Sequence, residues 1–364
     1  MACGKSGNSS APDGGSAGAA AAGTSGTAGA GAGGTSGAGG AAGTSGAAGA
    51  GGAAATGGAS GGAGGVGGNT GTGGNTGTGG ASPIPPALTW VREGSTTYIL
   101  ESVWGTGPND VYGGGRSGRL VHSTGDGKWT VQTTNAAGTI TGFWASAPND
   151  VYASVYSNVV LHSIGDGVWD HQMTAGATVF NAIWGSGPND IYIVGPGAFH
   201  STGNGAWGGP QRVTDGNTNS IWGTSATNIY VTQNPNDVAV FHSIGDGRWL
   251  GETTPVGVGA VAVWGADANH IYAGGNMLVF STGNGVWTQQ NYTATAERIV
   301  AIWGAGPNAV YVCTQQGNFY RSNGAGQWSA PEQITGSGLC YDMWGTATNN
   351  IYIVDTFGIL HGTF

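Results

Sequence analysis

The sequence predicts an all-β fold, a seven-bladed β-propeller with four strands per blade, over residues 88–364. Three observations carry this prediction. A tryptophan-centred string recurs seven times, at intervals of 38 to 42 residues. A second tryptophan series also recurs seven times, alternating with the first. Finally, no segment shows the apolar period of a helix, whereas short β-branched and aromatic runs are frequent.

The two tryptophan series define the repeats. The first series opens with VWGTGPNDVY at residues 103–112, and a Tyr follows each of its members by eight residues. Its members are Trp104, Trp144, Trp184, Trp222, Trp264, Trp303 and Trp344. The second series comprises Trp90, Trp129, Trp169, Trp207, Trp249, Trp287 and Trp328. Together they account for all 14 Trp in the chain, so seven repeats leave none over.

Each repeat divides into four short strands, as residues 138–174 illustrate. ITGFWAS is apolar, and APND is a turn because Pro suits its second position and Asn or Asp the residues that follow. VYASVY and VVLHSI have strand composition. GDG makes a tight turn before WDHQMT, since Gly and Asp accept a positive φ.

The two ends of the folded region are predicted to share one blade. The last repeat stops after its third strand, ILHGTF, and ALTWVREG around Trp90 supplies the missing fourth strand. This pairing closes the ring and removes the exposed sheet edges of an open arc.

Two segments precede the propeller. Residues 6–87 are almost wholly Gly, Ala, Ser and Thr and end in SPIPPA. Because such a segment has little apolar surface to bury, we expect a disordered linker. Residues 1–5 include Cys3, and MACGKSG resembles the start of a mature bacterial lipoprotein, in which the cysteine carries lipid. The alternative is a chance cysteine near a disordered terminus.

Composition excludes several classes of partner. The net charge is −9 and only nine residues are Lys or Arg, which disfavours nucleic-acid binding. No stretch approaches 18 apolar residues, so membrane contact is expected only through Cys3. A surface this poor in charge fits an extracytoplasmic protein, either secreted or at the cell surface. For Cys313 and Cys340, in neighbouring repeats, we expect buried free thiols rather than a disulfide.

The third-to-fourth strand turns, such as HSTGDGKWT and HSIGDGVWD, resemble the Asp-box of sialidase-like propellers. Here the Asp lies one place later and the Trp one place earlier. The Thr-Gly-x-x-x-Trp spacing is similar to the tryptophan-docking motif of quinoprotein dehydrogenases, which usually have eight blades. Residues 88–364 as a whole are most similar to WG-repeat propellers of myxobacterial cell-surface lipoproteins. This resemblance implies a tethered propeller and assigns no activity.

Repeated histidines and acids are predicted to have structural roles. Third strands lie about three strand spacings of ~4.8 Å from the axis, which separates equivalent residues of neighbouring blades by roughly 12 Å. They therefore cannot share a zinc ion, and one carboxylate per turn does not make a calcium site. We expect no metal and no cofactor. The residues are His122, His162, His200, His242 and His361; Asp110, Asp150 and Asp190; and Asp126, Asp166 and Asp246.

The candidate binding site lies where the repeats depart from their own pattern. In related propellers, ligands bind at the fourth-to-first and second-to-third strand loops. Here those loops carry Arg116, Arg119, Arg212, Asp215, Asp237, Glu297 and Arg298. The alternative is that these are ordinary solvating charges. Three aromatic residues outside the repeat pattern are candidates for stacking on sugars: Tyr156, Tyr292 and Tyr320.

The predicted function is a non-enzymatic recognition domain, monomeric and tethered, that binds a glycan or a protein. One alternative is a sialidase-like glycoside hydrolase, which needs converging arginines, a Tyr–Glu nucleophile pair and an acid catalyst. The Arg-Ile-Pro motif of that family is absent, and so are a Ser-His-Asp elbow and a phosphate loop. A second alternative is a structural envelope component without a small ligand.

Overall fold

The computed structural model describes residues 82–95, 98–173, 179–213, 216–233, 239–292, 297–334, 336 and 338–364. This part of the chain forms seven antiparallel sheets, six with four strands and one with three. The inner strand of each sheet contacts the inner strands of both neighbours, and the last contacts the first, so the ring is closed. The predicted seven-bladed propeller is confirmed.

We number the blades 1 to 7 along the chain, and in each blade successive strands run outward from the axis. Innermost are β2 (Leu100–Gly107), β6 (Ile140–Ala147), β10 (Ala182–Gly187), β13 (Thr218–Ser225), β17 (Ala262–Asp267), β21 (Ile299–Gly306) and β25 (Cys340–Ala347). The second strands are β3 (Asp110–Gly115), β7 (Asp150–Val155), β11 (Asp190–Val194), β14 (Asn228–Gln233), β18 (His270–Gly274), β22 (Ala309–Thr314) and β26 (Asn350–Asp355).

The third strands are β4 (Leu120–Ser123), β8 (Val159–Ser163), β12 (Ala198–Ser201), β15 (Val240–Ser243), β19 (Leu278–Ser281), β23 (Asn318–Ser322) and β27 (Gly358–Thr363). Outermost are β5 (Thr130–Gln132), β9 (Asp170–Met173), β16 (Leu250–Gly251), β20 (Thr288–Gln290), β24 (Glu332–Gln333) and, in blade 7, β1 (Thr89–Ser95). A 3₁₀ turn spans Arg116–Gly118. Within the described ranges, no helix has the length and apolar character to cross a bilayer.

The outer edge of blade 3 departs from the four-strand prediction. After Trp207 the chain reads GGPQ, and only an isolated bridge between Ala198 and Gln211 replaces the outer strand. Pro210 has no N–H to donate to a ladder, and the glycines before it favour no extended conformation.

The glycine that follows each first-series tryptophan lies against the indole of the preceding blade. A Cβ on Gly185 would lie 2.6 Å from Cζ2 of Trp144, and a Cβ on Gly105 would lie 2.7 Å from Cη2 of Trp344. The same contact recurs at Gly223, Gly265, Gly304 and Gly345. In blade 2 the position is Ala145, which is 1% exposed. In six blades the Trp-Gly pair is therefore an inter-blade contact, with the indole of the preceding blade occupying the space that a side chain would take.

Hydrogen bonds also join neighbouring inner strands. Between blades 3 and 4, Asn181 Nδ2 donates to the carbonyl of Thr218 at 2.7 Å. Between blades 7 and 1, the carboxylate of Asp342 accepts the backbone N–H of Val103 at 3.0 Å. Further bonds of this kind involve Ser102, Thr141, Asn219 and Ser220.

The N-terminal strand closes the ring as predicted. β1 pairs with β27, and Trp90 lies opposite Gly362, whose missing side chain leaves room for the indole. Arg92 and the fully buried Asp355 form a bidentate ion pair with both N–O distances at 2.7 Å. Breaking this pair would leave a buried carboxylate uncompensated, which is costly.

The expectation of free cysteines is wrong. Cys313 on β22 and Cys340 on β25 form a disulfide that joins blades 6 and 7, with their Cα atoms 6.4 Å apart. Both residues are buried at the interface between these two blades, so their side chains meet across it. The repeat pattern places the cysteines in adjacent blades, but it does not tell which side chains of adjacent sheets face each other.

We predict that Gly185→Val destabilises the protein by about 1–3 kcal/mol or more, because the new side chain overlaps Trp144. Gly187→Val is the matched control on the same strand, since a Cβ there meets nothing within 4 Å. Urea unfolding of both variants measures the difference. Equal stability of the two variants would contradict the assigned contact.

Deletion of residues 85–95 is expected to open the ring and cause aggregation, because it removes β1 with its ladder and the partner of Asp355. Deletion of residues 20–30, within the predicted linker, is the length-matched control and should leave the monomer intact. Size-exclusion chromatography with light scattering distinguishes the two. A monomeric, fully folded 85–95 deletion would disprove the closure.

Candidate functional site

The two ends of the ring are built differently. The turn face is the end that carries the first-to-second and third-to-fourth strand turns, such as residues 108–109 and 124–129. The loop face is the opposite end, with the second-to-third strand turns and the connections to the next blade, such as residues 116–119 and 133–139. The turn face repeats a similar sequence from blade to blade, except that blade 7 has no third-to-fourth strand turn, whereas the loop face varies.

Polar side chains on the turn face stabilise the third-to-fourth strand turns by hydrogen bonds to the backbone. Ser123 Oγ accepts the N–H of Gly125 at 3.2 Å, and Asp126 Oδ1 accepts the N–H of Lys128 at 3.0 Å. Gly125 has a φ of 78°, which a residue with a Cβ rarely adopts. Asp166, Asp246, Asn204 and Asn284 make the same backbone bond in their turns. The prediction that these acids form turns is confirmed.

The repeated histidines bond to the first turn of their own blade. His122 Nε2 lies 2.7 Å from Asp110 Oδ1, and the imidazole packs on Tyr112 with ring centroids 4.6 Å apart. Burial opposes ionisation of Asp110, but hydrogen bonds from His122 and Thr106 outweigh it and lower the pKa of the carboxyl. Equivalent bonds join His162 to Asp150, His200 to Asp190, His242 to Asn228 and His361 to Asn350. The predicted structural role is confirmed.

The sequence analysis missed a compensating change around these histidines: the carboxylate and the amide swap positions between blades. In blade 7, His361 lies between Asn350 and Glu93, at 2.7 Å from each. Blade 4 has the same arrangement of Asn228, His242 and Glu252. In blades 1 and 2 the first turn supplies the acid, and the outer strand has Gln132 or Gln172 instead. Each such histidine thus has one carboxylate beside it, and the signal was a compensating change between repeats.

The outer-strand position also accepts a hydrogen bond from four members of the second tryptophan series. Trp169 Nε1 donates to Oε1 of Gln132 in the preceding blade at 2.8 Å, and Trp287 Nε1 donates to Glu252 at 2.6 Å. Trp129 and Trp207 make the same bond to Glu93 and Gln172. Burial raises the pKa of Glu252, while the bond from Trp287 opposes that rise.

Two of the predicted arginines lie together on the loop face, in the turn between β3 and β4. Arg116 Nε lies 2.6 Å from Glu101 Oε1, and this hydrogen bond and charge raise the pKa of Arg116. The guanidinium carbon of Arg119 lies 3.6 Å from the ring centroid of Tyr98. Blade 1 therefore presents two cationic side chains at this face, one paired with a carboxylate and one stacked on a phenol ring.

The other predicted site residues belong to different blades. Arg212 follows blade 3, and Arg298 directly precedes β21 of blade 6, so the four arginines do not form one cluster. The carboxylate of Glu297 accepts hydrogen bonds from Thr314 at 2.8 Å and Asn318 at 3.0 Å, which fixes the connection into blade 6. Asp215, Asp237 and Cys3 lie outside the described residues. Ligand contact by any of the seven rim residues stays a prediction.

The three aromatic candidates for sugar stacking separate into two groups. Tyr156 is 53% exposed, whereas Tyr292 and Tyr320 are 9% and 0% exposed and pack edge to face at 5.0 Å. Sugar stacking by these two is therefore excluded by burial. A Tyr–Glu bond of the kind a sialidase needs does exist, between Tyr320 and Glu297 at 3.1 Å, but no substrate reaches the buried hydroxyl.

The loop-face mouth of the central channel is ringed by the residue three places before each first-series tryptophan. These positions are partly exposed, while the residue on either side is buried. They are Glu101, Thr141, Asn181, Asn219, Val261, Val300 and Tyr341. The ring is polar over blades 1 to 4 and less polar over blades 5 to 7. Arg116 extends from the blade 1 turn to Glu101 in this ring, so the turn and the channel mouth are continuous.

Comparison with known proteins shows the fold and no closer relationship. No family model matches the sequence, and no curated protein matches it. A catalytically inactive virginiamycin B lyase from Staphylococcus aureus with quinupristin has a TM-score of 0.68 at 14% identity, over 76% of this chain and 99% of that chain. YCF48 bound to D1 peptide has a TM-score of 0.65 at 12% identity, over 77% and 99%. The GH74 xyloglucanase from Xanthomonas campestris has a TM-score of 0.59 at 14% identity, over 75% and 53%. The same fold therefore occurs in a peptide-bound protein and in enzymes.

Asp342 is a buried acid beneath the channel mouth. Burial raises its pKa to about 7, although the backbone N–H groups of Val103 and Met343 donate to it. The folded state therefore holds the proton more tightly than the unfolded chain, in which the pKa of aspartate is about 3.9. The contribution of Asp342 to the free energy of unfolding is therefore greatest below about pH 4. It falls by on the order of 4 kcal/mol as the pH rises to 7.

We predict that Asp342→Ser gains stability relative to the parent as the pH rises from 4 to 7. Serine occupies the equivalent position in blade 4, where Ser220 Oγ accepts the N–H of Val263 at 3.4 Å. Urea unfolding of both proteins at several pH values measures the difference, and titrations common to both cancel. A difference that stays constant with pH would contradict the assignment.

Proposed function

We propose that this propeller is a non-catalytic recognition domain outside the cytoplasm, with its ligand site on the loop face. The observation that carries the proposal is the contrast between the faces. On the turn face the repeated acids and histidines are engaged in holding turns and strands. On the loop face the chain departs from its repeat, and blade 1 presents Arg116 and Arg119 beside the channel mouth. Rigid blades can hold variable loops in a fixed arrangement, which suits recognition.

The ligand class follows from the chemistry of the loop face. Arginine and tyrosine side chains and a channel mouth of mixed polarity suit a glycan or a protein segment. A fold of this kind is bound to a peptide in the YCF48 structure, and the xyloglucanase has the same fold. These similarities are a likeness of fold, so they support the feasibility of both ligand classes and select neither.

Absence of catalysis is part of the proposal. The acids and histidines of the repeats have structural partners, and the Tyr320–Glu297 pair is buried. Because the proteins of similar fold include a lyase and a hydrolase, the experiment also measures turnover.

Location outside the cytoplasm is supported by the disulfide between blades 6 and 7, because disulfides persist in oxidising compartments. The path of the chain before β1 is consistent with a tether. Asn323, in a turn-face turn of blade 6, donates to the carbonyl of Ser82 at 2.7 Å. The segment leading to the propeller therefore meets it at the turn face. A lipid on Cys3 is proposed on sequence grounds.

The test uses the full chain on a printed glycan array and on an array of peptides. Two cysteines are introduced separately into a Cys3→Ser background: Tyr156→Cys on the loop face and Ile164→Cys on the turn face. Both sites are in blade 2, at 53% and 63% exposure, and both are blocked with a polyethylene glycol maleimide. We expect binding to glycan or peptide that is lost with the block at 156 and kept with the block at 164.

Three results would contradict the proposal. These are no binding on either array, equal loss with both blocks, and release of product from chromogenic glycosides by the unmodified chain. The last result would favour the hydrolase, whereas the first would favour a structural component without a ligand of these classes.

A further inference from the structure

A small cavity opens on the loop face in blade 1, beside the two arginines. It has a volume of about 180 Å³ and is lined by residues 117–119 of the turn after β3 and residues 131–135 at the end of the outer strand. The lining residues are polar or glycine apart from Val131. Pockets for drug-sized ligands measure roughly 300–1,000 Å³, so this cavity suits one sugar ring or a single small group.

Hydrogen bonds fix the two walls of the cavity against each other. Thr134 Oγ1 donates to the carbonyl of Gly118 at 2.7 Å, and the N–H of Gly118 donates to the carbonyl of Gly138 at 2.7 Å. His171 of blade 2 lies 2.5 Å from the carbonyl of Thr134. A Cβ on Gly118 would overlap the carbonyl of Ala136, so this glycine is required for the close approach. The cavity is formed before any ligand binds, which lowers the entropic cost of binding.

The backbone of the cavity is unusual for this chain. Within the described ranges, the non-glycine residues with a left-handed backbone are Ser117, at φ 56°, and Asn135, at φ 54°. Both line the cavity, one from each wall. Such conformations cost roughly 1–3 kcal/mol and concentrate at functional sites. Among the described residues, this left-handed non-glycine backbone occurs in blade 1 alone.

Arg119 is the charged residue of the cavity, and its pairing differs from that of three other arginines. Arg92, Arg116 and Arg321 each form an ion pair with a carboxylate. Across the described part of the chain, no carboxylate pairs with Arg119. Its guanidinium is instead stacked on Tyr98, 3.6 Å from the ring centroid. Stacking restrains the face of the guanidinium and leaves its edges free to donate two parallel hydrogen bonds to a carboxylate.

We propose that this cavity binds a carboxylate-bearing sugar of an acidic glycan, with the carboxylate on Arg119. The proposal rests on the proposed function, glycan or protein recognition at the loop face, and specifies the ligand. Ser117, Thr133 and Asn135 offer hydroxyl and amide groups beside Arg119, and such a lining suits the hydroxyls of a sugar better than an apolar side chain. The chain carries a net charge of −9, so general attraction of anions is not expected and binding has to come from this local cation.

The test is calorimetric titration of the full chain with two acidic probes, tetragalacturonic acid and 3′-sialyllactose. These distinguish a uronate from a sialate, and each has its carboxyl-reduced form as the neutral counterpart. We expect at least one acidic probe to bind and its reduced form to bind at least tenfold more weakly. Arg119→Gln should lower the affinity for the acidic probe at least tenfold. Arg119→Lys should lower it several-fold, because lysine keeps the charge but cannot form the bidentate hydrogen bonds.

Arg248→Gln is the matched control, because Arg248 is an exposed arginine on the turn face and should leave affinity unchanged. Thermal unfolding of each variant confirms that it is folded. Failure of both acidic probes to bind, or unchanged affinity in Arg119→Gln, would overturn this proposal. If the arrays nevertheless show binding that is blocked at residue 156, recognition at the loop face stands and only the assignment to an acidic sugar fails.

Discussion

The contact between one indole and one glycine, repeated around the ring, is the constraint on which this structure depends. Six of the seven first-series tryptophans fill the space above the glycine of the next blade, among them Trp344 on Gly105, and blade 2 has Ala145 at this position. A four-stranded sheet cannot bury both of its faces alone. In a ring of seven sheets, each sheet buries the face of its neighbour, and the indole between two sheets sets the distance between them. The first-series indole N–H groups meet no acceptor among the described residues, so packing rather than hydrogen bonding places these rings.

Polar interactions then make each joint specific. Side chains such as Asn181 and Asp342 bond across inner strands, and a disulfide joins blades 6 and 7. Farther from the axis, four tryptophans of the second series donate to the glutamine or glutamate of the preceding blade: Trp129, Trp169, Trp207 and Trp287. Because most of these interactions lie between the blades and on the turn face, the connecting loops of the loop face can vary without loss of the fold. The structural basis of the proposed recognition role is this separation between a constrained body and one variable face.

The sequence was sufficient to predict the blade number, the strand order, the closure by Trp90 and the turn roles of Asp126 and His122. These depend on local spacing and on a pattern repeated seven times, so each repeat corroborates the others. It was insufficient wherever the answer depends on which side chains face each other across blades. The Cys313–Cys340 disulfide and the burial of Tyr320 are of this kind. The cavity at Arg119 could not be predicted from the sequence either. It forms where two loops meet at Gly118, and it depends on backbone angles that the residue types do not determine. The exchange of Asp and Glu around the histidines was visible in principle, as a compensating change between repeats.

The most direct test of the central claim is a double-mutant cycle between Gly185 and Trp144, measured by urea unfolding. If the indole and the glycine share one space, truncation of the ring in Trp144→Leu makes room for the side chain of Gly185→Val. The double variant is then expected to lose at least ~1 kcal/mol less stability than the sum of the two single losses. Additivity to within about 0.5 kcal/mol, the behaviour of distant sites, would show that the two residues do not constrain each other and would contradict the account.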